Sequence, residues 1–329
     1  MLTSLRRLAG RIAARPRPAA PRAPAAVDND TRAPLAAVTF VWNEEAYLRK
    51  WVDHYGRALG RENLVVCAHG GDPMVARVAE GCRIWTMPRS RVDALFARRK
   101  SDLAAGIVSF LLAEYRSVIV GDVDELVMVD PALGESLPDY VAARRHLGQS
   151  LKPFNLDLLD DPGAGPLDLA RPVLAQRRLA RTRYQFCKPV IVSDRVEFAA
   201  GFHYADHYPV LAEGAYLVHL HFADRALNEE IDRLRRQSFE ANPHLAEAHQ
   251  RSRGYWSRHM ARYHDRNTKS ARLPVQELDA ALPEFLSALR GNVTRMPATK
   301  LNAPGWTMTF GERSERVRLR LPDRFAEAL

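Results

Sequence analysis

Residues 35–42, Leu35-Ala-Ala-Val-Thr-Phe-Val-Trp42, form a continuous apolar run of strand length. A strand this apolar suits a sheet covered on both faces, because a half-exposed strand alternates polar and apolar positions. The run stops at Asn43-Glu44-Glu45, and Leu48, Trp51, Val52, Tyr55 and Leu59 then recur at helical spacing over 46–59. Further apolar runs at 64–68, 84–87 and 118–121 read as strands, separated by a Gly70-Gly71-Asp72-Pro73 turn and a helical stretch over 92–113. Strand and helix alternation predicts an α/β fold, a mostly parallel sheet flanked by helices. Ligands bind such sheets beyond the carboxyl ends of the strands. That rule singles out Asn43-Glu44 and Asp122-Val123-Asp124-Glu125, at one predicted edge.

The second half is less regular. Strands are expected at 150–159, 187–193, 195–199 and 215–222, a loop at 163–172, and charged helices at 228–241 and 243–264. One more helix and a strand at 316–321 follow. The expected organisation is a basic tail (1–33), a folded domain (34–225) and a mainly helical C-terminal extension (226–329). With 47% hydrophobic and 26% charged residues, the chain can bury a core. It has no apolar run of about 18 residues, the length a spanning helix needs.

The net charge of +9 is unevenly placed: residues 1–33 hold seven arginines against Asp28 and Asp30, or +5. A basic field attracts polyanions, but most of this asymmetry is tail. No helix-turn-helix, zinc-finger or RNP-like pattern accompanies it, so no nucleic-acid partner is expected. Leu2, Leu5, Leu8 and Ile12 share one helical face among arginines. Residues 1–15 read either as an amphipathic foot for an anionic membrane surface or as a frayed tail, in both cases without the apolar core of a secretory signal. The Pro-, Ala- and Arg-rich stretch at 16–34 reads as a linker. Cys67, Cys82 and Cys187 make an odd count without CxxC spacing. Reduced, structural cysteines and a cytoplasmic setting follow, with the basic foot placing the chain at the inner membrane face.

The sharpest chemical feature is Val118-Ile-Val-Gly-Asp122-Val-Asp124-Glu125. Carboxylates at i and i+2 of an extended backbone point the same way and repel unless a cation neutralises them. Oxygen donors suit Mg²⁺ or Mn²⁺, which bind through one or two carboxylates plus substrate phosphates. Four histidines, His203, His207, His219 and His221, fall within 19 residues. As imidazole can complete a Mn²⁺ shell, the candidate metal set is Asp122, Asp124, His203 and His221. Arg99 and Lys100 before the acidic strand, and Lys188 ahead of a later apolar run, are candidates for contacting a diphosphate.

Phe40-Val-Trp-Asn43-Glu44-Glu45-Ala-Tyr-Leu48, Val120-Gly-Asp122-Val-Asp124-Glu125-Leu126, Cys187-Lys188-Pro189, Gly201-Phe-His203 and Val218-His-Leu-His221-Phe222 occur in a characteristic order. Together they resemble the bacterial family 2 glycosyltransferases related to the family 92 (DUF23-like) enzymes, over roughly residues 35–225. The resemblance implies a GT-A fold, a nucleotide-sugar donor, Mn²⁺ or Mg²⁺, a carbohydrate or glycolipid acceptor and inversion at the anomeric carbon. It implies that Asn43 and Glu44 border the nucleotide pocket and that Asp122 and Asp124 are the DxD metal and diphosphate site. Lys188 and His203 would match the Lys-Pro and Gly-x-His elements. The chain departs from the pattern in lacking a proline soon after His203 and an aromatic-basic run after Phe222. Inverting transfer needs an acceptor-side base, for which Asp206 and Glu197 are the candidates in the second half and Glu125 is a third. Two other readings compete: a metal-dependent phosphohydrolase working at Asp122 and Asp124, and a non-catalytic membrane-surface protein on a degenerate transferase fold.

Overall fold

The computed structural model describes residues 30–245, 261, 267–299, 302–311 and 316–329. The amphipathic foot and most of the helix expected at 243–264 lie outside these residues. Strand β1 (Ala36–Val41) runs parallel to β2 (Leu64–His69) on one side and to β4 (Val118–Asp122) on the other, with β3 (Arg83–Met87) parallel to β2. The connections are α1 (Glu45–Leu59), α2 (Pro73–Val78) and α3 (Phe96–Leu111). Both faces of β1 are covered, which explains its apolar sequence. Ala37 and Val41 pack into the core built with Leu48, Trp51 and Tyr55 of α1, while Ala36, Val38 and Phe40 face Ala104, Val108 and Leu111 of α3. The expected α/β sheet flanked by helices is therefore what forms.

The acidic segment does not end in a loop, as the sequence suggested. Val123 and Asp124 make a two-residue turn, and the chain re-enters the sheet as β5 (Glu125–Val129). Val123, Leu126 and Val127 are buried, so the apolar character of the strand continues across the carboxylates. After α4 (Leu137–Arg144), the wholly buried β6 (Ser150–Leu158) pairs antiparallel with β7 (Leu179–Arg181) and β8 (Ile191–Val192). The short helix α5 (Val173–Gln176) precedes β7. Strand β9 (Val210–His219) runs parallel to β6 and antiparallel to β5. Three expectations are corrected here. Residues 195–199 form only an isolated bridge, Phe198 to Ala205, and of the run 187–193 only Ile191–Val192 pairs. β9 also ends at His219, leaving His221 in the following turn rather than on a shared strand face.

The C-terminal region supplies α6 (Arg225–Ala241), β10 (Val275–Glu277), α7 (Leu278–Gly291), the antiparallel pair β11 (Val293–Met296) and β12 (Gly305–Met308), and β13 (Arg318–Arg320). β10 and β13 extend the main sheet beyond β7, in the order β10-β13-β7-β6-β8-β4-β1-β2-β3. Residues Arg32–Leu329 form one compact unit, so the region from 226 onwards is woven into the sheet, with strands as well as helices.

Near the C-terminus, Arg324 clamps two carboxylates. Its Nε and Nη2 donate to Asp130 at 2.7 and 2.8 Å, and its Nη1 and Nη2 to Asp279 at 2.6 and 2.7 Å. Arg324→Ala should cost about 1–3 kcal/mol, partly screened by water at the half-exposed guanidinium. Burial raises the Asp130 pKa, but Arg324 outweighs it and holds the carboxyl below its ordinary 3.8. A depressed carboxyl stabilises the fold above its unfolded pKa and loses that contribution as pH falls through the folded value. Urea unfolding should therefore show the gap between wild type and variant closing in acid, below that ordinary value.

Candidate active site

The carboxyl ends of β1 and β4 open on a cleft of about 560 Å³. Asp122, the last residue of β4, and Asp124 in the turn both line it, as do Glu44, Lys100, Lys188 and His203. The two carboxylates face different partners. Asp122 pairs with Lys100, which α3 projects inward, and lies 3.5 Å from the Lys188 ammonium. Asp124 Oδ2 lies 3.5 Å from His219 Nε2 and 3.6 Å from His221 Nδ1. The two imidazoles stack at 5.8 Å with an 18° tilt. Behind them, His219 Nδ1 is 2.9 Å from the fully buried Asp157.

Burial disfavours every charge here, and the pairings decide which charges survive. Asp122 resists burial because Lys100 and Lys188 hold its carboxyl low. Asp124 resists because of His219. The His219 imidazole is opposed by burial but raised to about 10 by Asp124 and Asp157, so it is cationic at neutral pH. Burial outweighs the carboxylate for His221 and pushes it down, which keeps that ring neutral. Lys188 is buried, 2.6 Å from Glu125 Oε1, and its pKa is raised because Glu125 and Asp122 overcome desolvation. Glu125 itself is raised by burial against the pull of Lys188. Its Oε2 is buried with no hydrogen-bond partner among the described residues.

Backbone strain shapes the wall that holds the lysines. Gly201 and Phe202 have φ of +74° and +62°, and for a bulky residue such as Phe202 the left-handed region costs energy. The fully buried Phe202 ring lies 5.3 Å from the Lys100 ammonium and 5.9 Å from that of Lys188. Cation–π contact adds to the carboxylates in fixing both ammonium groups. Asn43 is also left-handed, at φ +56°, a conformation asparagine tolerates. It turns the chain from β1 into α1 but does not line the cleft.

A second group of lining residues is aromatic and cationic. Arg89 lies 3.7 Å over the Trp42 ring, and Trp42 packs on Phe239 of α6 at 5.2 Å. Arg89 Nη1 is 2.8 Å from His69 Nδ1, and the His69 ring stacks on Phe96 at 5.8 Å. Arg235 of α6 donates to Glu44 at 2.6 Å across the cleft. Burial raises Glu44 despite Arg235, and lowers Arg89 to about 10 with help from Arg235.

Several candidates from the sequence are placed elsewhere. Arg99 points outward from α3 and pairs with Asp93 at 3.1 Å. Periodicity explains this, as Lys100 is one step further round the helix. Asp206 and Glu197 are exposed and do not line the cleft; the Glu197 amide donates to Asp206 Oδ1 at 3.0 Å, and Asp206 pairs with His207. His203 lines the cleft, but its Nδ1 is 2.9 Å from the Gln185 carbonyl. Burial lowers its pKa to about 4.

Among the described residues, no three His, Cys, Asp or Glu side chains group as metal ligands. The donors that fit a divalent cation are Asp124 and the neutral His221, an open pair of the kind that substrate phosphates complete. Asp122 fits less well, since both its oxygens face ammonium groups. The neutralising charges expected from a metal alone are thus supplied in good part by Lys100, Lys188 and His219.

No family model matches this chain, and no curated protein matches it. Among solved structures, mannose-1-phosphate geranyltransferase from Thermus thermophilus is similar at 12% identity, over 88% of this chain and 74% of that one, with a TM-score of 0.28. An overlap that loose carries no argument about activity.

Proposed function

We propose that this chain is a metal-dependent glycosyltransferase, moving a sugar from a nucleotide-sugar donor to a carbohydrate or glycolipid acceptor with inversion. The observation that carries the reading is the make-up of one cleft. Asp122, Asp124, Lys100 and Lys188 line it together with Trp42, Phe96, Phe239 and Arg89. A nucleoside diphosphate needs both kinds of surface, aromatic rings for a planar base and charged groups for its diphosphate. Asp124 and His221 would hold Mn²⁺ or Mg²⁺, which when bound acts as a Lewis acid on the leaving diphosphate.

The chain's own residues supply the rest. Lys100 and Lys188 stand ready to share the negative charge of the leaving group, positioned by Asp122, Glu125 and the Phe202 ring. With Asp206 and Glu197 outside the cleft, His203 is the better acceptor-side base. Its Nδ1–H donates to Gln185, which leaves the Nε2 lone pair to take a proton from an acceptor hydroxyl.

A thermal-shift panel of nucleoside diphosphates with and without Mn²⁺ tests this. One nucleotide at about 100 times its Kd should add about 2.7 kcal/mol, a rise of several degrees, only when metal is present. Turnover should release nucleoside diphosphate from a donor sugar. Release of inorganic phosphate in its place would identify a phosphohydrolase and overturn the proposal.

A further inference from the structure

Helix α3 is apolar on both sides. Its inner face buries Ala104, Ile107, Val108 and Leu111. On the opposite face, Leu103 is 43% and Phe110 56% exposed, and Leu95 at the N-cap is 48% exposed. Spacings of eight and seven residues put these three side chains on one side of the helix, with exposed Arg99 and Gly106 between them. They are three of the six exposed large hydrophobic side chains among the described residues, a concentration that marks an interaction site. The patch continues onto β3, the edge strand, where the half-buried Trp85 ring meets Phe110 at 5.7 Å.

The occupant is indicated by where the chain enters the fold. Arg32 Nη1 donates to the Leu112 carbonyl at 2.8 Å, and the Ala33 amide to the Glu114 carbonyl at 2.9 Å, immediately after α3. Residues 1–29 therefore join the fold about one turn from Phe110. They contain six arginines and one aspartate. We propose that the outer face of α3, with Trp85, docks on an anionic lipid bilayer, and that the N-terminal arginines supply the electrostatic part of the attraction. The exposed Leu and Phe side chains, with the half-buried Trp85 beside them, enter the interfacial region while arginines hold the anionic headgroups. A second copy of the chain is the poorer occupant, since a symmetric pairing through this face would bring two such basic attachment points together. The proposal does not rest on the transferase reading.

The test is cosedimentation of the full-length chain with phosphatidylcholine vesicles, with and without phosphatidylglycerol. Binding should require phosphatidylglycerol and weaken as salt is raised. Leu103→Glu/Phe110→Glu should lower the vesicle partition coefficient by about tenfold or more. Leu103→Gln/Phe110→Gln, which removes apolar area without adding charge, should lower it by roughly threefold. Both variants should keep the wild-type melting curve. Wild-type binding by the glutamate variant would overturn the proposal, as would equal binding of both vesicle types or of neither. A wild-type dimer in light scattering that the glutamate variant converts to monomer would overturn it too, by assigning the face to a second copy.

Discussion

Asp124→Asn should lower turnover by about a thousandfold while leaving the protein folded, if the cleft acts on a diphosphate as proposed. The substitution keeps the size of the side chain and removes its charge. Asp124 Oδ2 faces both His219 and His221, so the change removes a metal donor and the main charge opposite His219. Asp157 remains behind His219 at 2.9 Å, so that ring keeps one carboxylate and the local fold should survive. Asp206→Asn and Glu197→Gln provide the contrast. Both residues are exposed and outside the cleft, and each variant should retain turnover within about twofold, as surface changes commonly do. The assay is release of nucleoside diphosphate from the donor identified by thermal shift. An Asp124→Asn enzyme within a few-fold of wild type would remove the carboxylate turn from the mechanism.

The frame of the fold was legible because it rests on one strong signal. A parallel strand buried on both faces is apolar along most of its length, as β1, β2 and β4 are, with Thr39, His69 and Asp122 as their polar members. Where that signal met a conflicting one, the reading failed. Asp122 and Asp124 interrupt an apolar segment that continues into Leu126 and Val127, so β5 was hidden behind charges that looked like an ending. The one-residue difference between Arg99 and Lys100 was equally invisible. Which of two neighbouring cations turns inward depends on the rotation of α3, and helix boundaries are the least reliable part of a sequence reading.

Glu44 was legible as a residue of the cleft, but its cationic neighbours Arg235 and Arg89 were not, for a physical reason. Arg235 is one of four arginines on α6. Arg225 pairs with Glu229, and Arg233 with Glu230, along the helix surface, as a solvated face would. Arg235 instead crosses to Glu44, 191 residues away in sequence. Nothing in the helix's own periodicity separates it from its neighbours. Arg89 and His69 are similar cases: isolated polar residues at strand ends, brought together only by the packing of Trp42, Phe96 and Phe239.

The structure also alters the electrostatic premise. Crowded carboxylates do need neutralising, but three protein cations already do much of that work: Lys100 and Lys188 at Asp122, and His219 at Asp124. A carboxylate cluster so balanced does not need a ligand to neutralise it, and under the proposed function each lysine would face the diphosphate. Positioning is then fixed before substrate arrives, which is the condition under which charged donors contribute most to catalysis.

Lys188→Met tests that balance most severely. The Lys188 side chain is 3% exposed and Glu125 opposite it is 1% exposed, at 2.6 Å. Methionine nearly matches the lysine stem in volume, so the loss is mainly of charge. It strands a buried carboxylate whose second oxygen is already unpartnered, and breaking such a pair costs about 3–5 kcal/mol near neutral pH. The pH dependence follows from Glu125. Its folded pKa lies above the ordinary 4.5 because of burial and despite Lys188, and removing the lysine raises it further. A carboxyl raised by folding penalises the native state above its unfolded pKa, and the penalty fades as pH falls towards that value. Urea unfolding should therefore show a large deficit for Lys188→Met near neutral pH and a smaller one near about pH 5. Lys188→Met/Glu125→Gln should recover much of the loss, because a neutral amide no longer has a charge to bury. A deficit that ignores pH and is not rescued by the second substitution would mean that Lys188 supports the fold through packing, and that the cleft's charge balance is not what holds β4 and β5 in place.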